Sequence, residues 1–124
     1  MVSPSDRELY EQAVDVAAKA YAPYSRFLVG AAVRARDGRV FLGVNVENAA
    51  YPLGVCAEKS ALTAAVAGGC RPGDLEAVGI TASPCGGCRQ WLVEFGVERI
   101  VYARAGGEVV VATPAELLPD TFEL

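Results

Sequence analysis

The sequence contains no histidine, so no imidazole is available to bind a metal ion or to carry a proton near neutral pH. Both tasks therefore fall to cysteine thiolates and carboxylates. The chain has four cysteines, enough for two disulfides or for a thiolate metal site. The absence of histidine narrows any hypothesis of catalysis or metal binding to a small set of residues.

Basic residues are also scarce in this chain. The chain has 11 lysines and arginines and 15 aspartates and glutamates, which gives a formal net charge of −4. The basic residues are not clustered in any segment of the sequence. Nucleic-acid-binding domains usually concentrate positive charge on one face. We therefore predict that nucleic acids are not partners of this protein.

Long apolar runs are missing as well. No segment approaches the ~18 apolar residues of a membrane span, and the first residues, MVSPSDRELYEQ, lack the basic-then-apolar pattern of an export signal. We therefore predict no membrane partner and a cytoplasmic location. In a reducing compartment, metal-binding or catalytic thiols are more common than disulfides.

The order of predicted elements indicates an α/β fold. A length of 124 residues is typical of one domain, here residues 1–124. Strands that alternate with helices in the middle of the chain favour a sheet covered by helices on its faces. Periodicity and turn residues predict helices at 4–20, 56–67, 87–96 and 114–119, and strands at 27–35, 39–46, 75–83, 99–104 and 108–113, with the first two strands joined by a tight turn at Asp37-Gly38.

Cysteine spacing points to a metal site. Cys85 and Cys88 form a C-x-x-C pair at a predicted strand-to-helix junction, which lets two thiolates bind one ion. Cys56 and Cys70 flank the predicted helix 56–67, and ~11 helical residues rise ~16 Å, whereas two thiolates on one zinc lie ~4 Å apart. Cys56 and Cys70 therefore cannot share an ion, and we predict that Cys70 is a buried small residue.

Cys56, Cys85 and Cys88 are the predicted ligand set, and they leave one tetrahedral position open. Catalytic zinc sites keep such a position for water, whereas structural sites close it. All three thiols lie at or just inside predicted helix N-termini, where the helix dipole favours a thiolate. A redox-active C-x-x-C pair is the alternative, but it does not explain Cys56.

Glu58 follows Cys56 by two residues in the first helical turn. A lone glutamate there usually only compensates the helix dipole. Beside an open metal position it becomes the natural proton shuttle, and burial would move its pKa towards neutrality. Zinc with three thiolates carries a formal charge of −1, so we predict that Lys59 and Arg89 compensate that charge. Both are also explained as ordinary surface residues.

The pattern C-x-E followed by P-C-x-x-C is the signature of zinc-dependent deaminases. Further blocks carry the likeness across residues 20 to 122: AYAPYSRFLVGAAV, NVENAAYPLGVCAEKSAL, SPCGGCRQWLVEF and ELLPDTF. Together they resemble the cytidine deaminase family. The resemblance implies a three-layer α/β/α fold with a five-stranded mixed sheet, one Zn²⁺ per subunit and a homotetramer.

The reaction implied by the resemblance is hydrolytic deamination of cytidine and 2′-deoxycytidine, a step of pyrimidine salvage. Glu58 would deprotonate a zinc-bound water that attacks C4 of the ring, and would return protons to N3 and to the leaving amine. Phe27 would stack on the pyrimidine, and the backbone at Ala57 would contact the base carbonyl oxygen. The remaining implied roles are contacts to the sugar 3′-hydroxyl from Asn45 and Glu47, and an approach of Tyr51 and Phe122 to the site of a neighbouring subunit.

The chain departs from the family pattern at Lys59 and at Leu28, where the family commonly has proline, and two alternative functions remain open. The family usually has arginine where Lys59 stands, and a guanidinium forks two N–H bonds whereas an ammonium is a mobile point charge. The alternatives are deamination of another small molecule that contains a cytosine ring, such as a nucleoside antibiotic, and a zinc-binding module without catalysis. Asn45 and Glu47 argue against the first, and an open zinc position argues against the second.

Overall fold

The computed structural model describes residues 1–124 and contains the predicted helices and strands in the predicted order. It also contains a short 3₁₀ helix that the sequence pattern does not predict. No helix has both the length and the apolar character that a membrane crossing requires. The elements are α1 (Pro4–Ala17), β1 (Gly30–Ala35), β2 (Val40–Val44), the 3₁₀ helix (Tyr51–Leu53), α2 (Ala57–Ala67), β3 (Leu75–Ile80), α3 (Gly86–Phe95), β4 (Arg99–Ala103), β5 (Val109–Ala112) and α4 (Pro114–Leu117).

The strands form one mixed sheet in the order β2-β1-β3-β4-β5. The β3–β4 pair is parallel, because α3 connects these strands, and the other pairs are antiparallel. On one face α1 buries Leu9 and Ala13 against the sheet. On the other face α2 and α3 bury Leu62 and Leu92 in the main core. The expected three-layer α/β/α arrangement with a five-stranded mixed sheet is confirmed.

Helix α1 and strands β1, β2 and β3 are each three residues shorter than their sequence patterns predict. Helix α1 ends at Ala17 instead of residue 20, because the chain then turns so that Tyr21 bridges Val46. Strand β1 begins at Gly30 instead of Phe27. The Asn45 side chain accepts the backbone N–H of Val29 and donates to the backbone carbonyl of Phe27. These bonds replace the strand-to-strand hydrogen bonds that would extend β1 to Phe27.

The register of the sheet determines where the site lies. Gly30 at the start of β1 pairs with Val44 at the end of β2, and Ala31 pairs with Ile80 at the end of β3. The segments that precede β1, follow β2 and follow β3 therefore leave the sheet at one edge. These segments contain Phe27, the Asn45–Glu47 stretch and Cys85, which are far apart in the sequence.

Gly43 on β2 allows helix α2 to pack very closely against the sheet. A Cβ atom on Gly43 would overlap the backbone of Ala61 and lie 2.5 Å from the carbonyl oxygen of Ala57. Only a residue without a side chain allows α2 to lie directly on β2 at this point. This close packing of α2 on β2 fixes the distance between the sheet and the N-terminus of α2, where Cys56 and Glu58 lie.

On the opposite face, Asp6 is a buried acid that joins α1 to the sheet. It is 2% exposed, and its carboxylate lies 2.7 Å from Arg34 Nη2 and 2.9 Å from Arg99 Nε. Glu76 also pairs with Arg34 at 2.7 Å. Burial alone would raise the pKa of Asp6, but the hydrogen bonds and charges of Arg99 and Arg34 together hold that pKa below its ordinary value.

We expect Asp6→Ala to lower the free energy of unfolding by about 2–3 kcal/mol, because it removes a buried acceptor from two guanidinium groups. The folded-state pKa of Asp6 is depressed, so its contribution is present above the ordinary value of 3.8 and is lost as the pH falls through the folded-state pKa. Urea unfolding between pH 2 and pH 7 measures both effects. Asp15→Ala, an exposed acid on the same helix, is the matched control; equal stability of the two variants would contradict the role of Asp6.

Candidate metal centre and active site

Two helix N-termini meet at the sheet edge and bring three cysteines together. Cys56 is the N-cap of α2, Cys85 is the N-cap of α3, and Cys88 lies in the first turn of α3. Their sulfur atoms all lie within 4.8 Å of one another, and the Cys56 and Cys85 sulfurs are 3.9 Å apart. The backbone N–H of Cys88 donates to the sulfur of Cys85 at 3.5 Å. Cys70 is buried beyond the opposite end of α2, outside this group.

The geometry of the three sulfurs fits a zinc ion. Zn–S bonds of ~2.3 Å at tetrahedral angles place two sulfurs about 3.8 Å apart, close to the 3.9 Å observed between Cys56 and Cys85. The group contains no fourth cysteine, aspartate or glutamate. Cys56, Cys85 and Cys88 would therefore hold the ion and leave one position for a small ligand.

A bound cation would favour ionisation of all three thiols. Burial raises the pKa of Cys56, and burial together with the charges of Glu58 and of the other two cysteines raises the pKa of Cys88 well above its usual range. Burial also opposes ionisation of Cys85, but hydrogen bonds from Cys88 and Cys56 leave the pKa of Cys85 lowered. Three thiolates this close repel one another, and a bound dication offsets most of their negative charge.

The Glu58 carboxylate lies beside the sulfurs in a cavity of about 290 Å³. The residue is 4% exposed. Burial is the largest influence and raises the pKa of Glu58, while hydrogen bonds from its own backbone and from the Cys88 thiol, and the charge of Lys59, act in the opposite direction. A carboxyl group with a raised pKa, within reach of the metal position, is suited to accepting and returning a proton near neutral pH.

The predicted substrate-binding residues line the same cavity, together with residues that the sequence pattern did not single out. Phe27, Asn45, Glu47 and Ala57 belong to its wall. Ala57 is the first residue of α2, and the first N–H groups of a helix have no intrahelical partner. The other lining residues are Ser25, Val29, Cys56, Glu58, Ala82, Ser83 and Cys85.

Ser25 organises one side of this cavity and was not predicted from the sequence. Its hydroxyl donates a short hydrogen bond to Glu47 and accepts the backbone N–H of Phe27 at 3.0 Å. Glu47 also accepts the N–H groups of Tyr24 and Ser25, at 2.9 and 3.1 Å. The hydrogen bonds from Ser25 and Tyr24 lower the pKa of Glu47, so this residue presents a carboxylate. The serine in A-P-Y-S-R-F, two residues before Phe27, is the only signal for this role in the sequence.

Tyr51 and Phe122 lie outside the cavity wall of the single chain. Their side chains are 75% and 71% exposed, and the Tyr51 and Tyr24 rings form a T-shaped pair with 6.0 Å between centroids. Both residues are available for contact with another subunit. Their predicted approach to a neighbouring site stays a prediction.

The two residues predicted to compensate charge make different contacts. Lys59 Nζ lies 5.9 Å from the centroid of the Trp91 ring. The Arg89 guanidinium donates to the carbonyl oxygens of Pro84 and Leu117, each at 2.9 Å, and to the Ser83 hydroxyl at 3.2 Å. These bonds connect α4 to Ser83 and Pro84, which directly precede Cys85. Arg89 therefore holds the segment that leads into the cysteine pair of α3. Its role as a compensating charge stays a prediction.

Comparison with known proteins agrees with this geometry. The family model described as "Cytidine and deoxycytidylate deaminase zinc-binding region" matches residues 3–104. The chain belongs to this deaminase family. Among its relatives is "Cytidine deaminase" of Sporosarcina psychrophila, 41% identical over 84% of this chain and 81% of the relative. "Cytidine deaminase" of Mycobacterium tuberculosis (strain H37Rv) is 43% identical over 90% of this chain and 85% of the relative.

Solved structures show the same fold as this deaminase-family chain. The 1.6 Å crystal structure of cytidine deaminase from Burkholderia pseudomallei is 45% identical, with a TM-score of 0.87 over 94% of this chain and 98% of that one. The crystal structure of cytidine deaminase from Mycobacterium leprae is 43% identical, with a TM-score of 0.78 over 92% of this chain. Family membership therefore accounts for the sheet, the helices and the zinc-binding region together.

Proposed function

We propose that this protein removes ammonia hydrolytically from cytidine and 2′-deoxycytidine, as a step of pyrimidine salvage. The observation that carries the proposal is the placement of the Glu58 carboxylate and of a zinc-compatible group of three sulfurs in one cavity. Zinc would be held by Cys56, Cys85 and Cys88, one ion per subunit. When bound, zinc acts as a Lewis acid that lowers the pKa of a coordinated water.

Glu58 carries the protons of this reaction. It accepts a proton as the water oxygen forms a bond to C4 of the pyrimidine, and it donates a proton to N3. The proton of the hydroxyl group now on C4 then passes through the same carboxylate to the amino group, so that the C4=O bond forms as the C4–N bond breaks and ammonia leaves. One buried carboxyl group is sufficient because it is a base in the first step and an acid in the second.

The cavity wall supports a nucleoside in one orientation. We propose that Phe27 stacks on the pyrimidine face and that a free N–H at Ala57 donates to the base carbonyl oxygen. Asn45 and Glu47 contact the sugar hydroxyl groups. Because Ser25 and two backbone N–H groups hold Glu47, its carboxylate is oriented before the substrate arrives.

Charge in the cavity favours a free nucleoside over a nucleotide. Its wall contains the carboxylates of Glu47 and Glu58 but no lysine or arginine. Burying a phosphate without a cation or several donors is costly, and two carboxylates would repel it. The family model covers both cytidine and deoxycytidylate deaminases, and this wall fits the nucleoside group.

We expect kcat/KM for cytidine and 2′-deoxycytidine to exceed that for deoxycytidylate by at least about a hundredfold, the effect of about 3 kcal/mol of unfavourable charge contact. The measurement is loss of ultraviolet absorption as the uracil ring forms, at matched concentrations of zinc-loaded protein. Adenosine is the negative control for the assay. Equal turnover of deoxycytidylate, or turnover of cytosine-ring compounds that lack a sugar at the same rate, would contradict the proposal.

We also propose that the protein is a homotetramer, as the family resemblance implies. Tyr51 and Phe122 are exposed aromatic residues, and removing large aromatic surfaces from water favours association. An assembly would place them against a second copy of the chain. Each site would then be completed by a neighbouring subunit.

A further inference from the structure

A contact between Lys59 and Trp91 joins the two helices that carry the cysteines. Lys59 is in the first turn of α2, and Trp91 lies on α3. The Lys59 Nζ lies over the indole, 5.9 Å from the ring centroid, which is within the range of a cation–π interaction. Both side chains are half-buried, so the ammonium is partly shielded from water.

The same ammonium lies close to the turn that carries two of the sulfurs. Lys59 Nζ is 3.8 Å from the point that a Cβ atom on Gly87 would occupy, and Gly87 lies between Cys85 and Cys88. Three thiolates and one dication leave a net negative charge at this place. A lysine, unlike an arginine, has no planar fork with which to fix itself on two sulfurs. It therefore needs another group to keep its charge there.

We propose that Trp91 is a positioning residue that holds the Lys59 ammonium beside the Cys85–Cys88 turn, so that a lysine supplies a fixed positive charge to the thiolate site. The inference rests on the proposed function, because it takes Cys56, Cys85 and Cys88 as zinc ligands. Trp91 is itself held in place. Its ring is stacked on Phe95 with 6.3 Å between centroids and 20° between planes.

A double-mutant cycle on zinc affinity tests this role, with the affinity measured by competition with a chromophoric chelator. We expect Trp91→Leu to weaken zinc binding about tenfold, as is typical when a group that supports a metal ligand set is removed. In a Lys59→Gln background the same change should have less than a twofold effect, because no ammonium remains to be positioned. An equal loss in both backgrounds would show that Trp91 acts through packing alone and would overturn the inference, as would no loss in either.

Matched variants separate positioning from general destabilisation. Phe41→Leu also shortens an aromatic residue that packs against the main core and lies under a cation, Arg39. Phe41 lies against Gly68 at the C-terminal end of α2, away from the three proposed zinc ligands, so this change should leave zinc affinity unchanged. Trp91→Phe keeps an aromatic ring with a weaker attraction for cations, and its loss should lie between wild type and Trp91→Leu. A larger loss in Phe41→Leu than in either Trp91 variant would contradict the proposal.

A nuclear magnetic resonance signature tests the position of Lys59 directly. The ε-methylene protons of Lys59 should be shifted upfield by the indole ring in the zinc-loaded protein, and Trp91→Leu should return them to ordinary lysine values. An ordinary shift in the wild-type protein would overturn the inference. Neither readout uses a nucleoside, so a protein that binds zinc through this arrangement but does not deaminate cytidine would refute the proposed function and leave the role of Trp91 standing.

Discussion

Replacement of Glu58 by glutamine should lower kcat for cytidine by about four orders of magnitude while zinc remains bound. Glutamine has nearly the same shape as glutamate but cannot accept or return a proton. Proton transfer by a positioned side chain contributes up to about 10⁴-fold to a rate, and here one carboxyl group is proposed to serve both steps. The loss should therefore appear in kcat, with a smaller effect on KM.

The experiment pairs turnover with zinc content on the same preparation of Glu58→Gln. Glu11→Gln is the matched control, because Glu11 is an exposed glutamate on α1, across the sheet from the cavity; it should retain wild-type turnover. Zinc-loaded Glu58→Gln with normal turnover would refute the proton-transfer role. Loss of zinc together with activity would instead assign Glu58 to metal binding.

Replacement of Cys88 by alanine should have the second large effect, on zinc binding itself. Cys88 is fully buried at the start of α3, and its sulfur completes the group of three. Even groups that only support a metal ligand contribute 10- to 100-fold to affinity, so loss of a direct ligand should weaken zinc binding by more than about a hundredfold. Chelator competition measures the affinity, and turnover should disappear with the metal.

Cys70→Ala provides a closely matched comparison for this experiment. Cys70 is also a buried free cysteine, 2% exposed, and its sulfur accepts a hydrogen bond from the Arg39 guanidinium at 3.7 Å. Because it lies outside the group of three sulfurs, its removal should leave one zinc per chain. Equal zinc loss in Cys70→Ala and Cys88→Ala would mean that the proposed ligand set is wrong.

The local parts of the fold could be predicted because they depend on neighbouring residues. Ser3 caps α1 through a bond to the N–H of Asp6, as Ser3-Pro4 predicts. Gly38 adopts a positive φ of 96° in the β1–β2 turn, as Asp37-Gly38 predicts. The end of α1 and the start of β1 were misplaced by three residues each, because contacts from Val46 and Asn45, distant in sequence, decide those boundaries.

The candidate site was likewise predictable only where it depends on residues close together in the sequence. The spacings C-x-E and C-x-x-C indicated which residues carry chemistry, and the length of a helix sufficed to separate Cys70 from Cys56. No spacing could indicate that Ser25 orients Glu47, because 22 residues separate them. Nor could it show that Arg89 bonds α4, or that Lys59 lies over Trp91.

The sequence by itself determined the candidate ligands, the acid–base group and the class of fold, because thiolates, carboxylates, caps and turns act over a few residues of chain. Tertiary structure alone decided the convergence of Cys56 with Cys85, 29 residues apart, and the shape of the cavity. The physical reason is that the strand register and the close packing of α2 at Gly43 set these distances. The strand register and this helix packing form only when the strands and helices bury the hydrophobic core together.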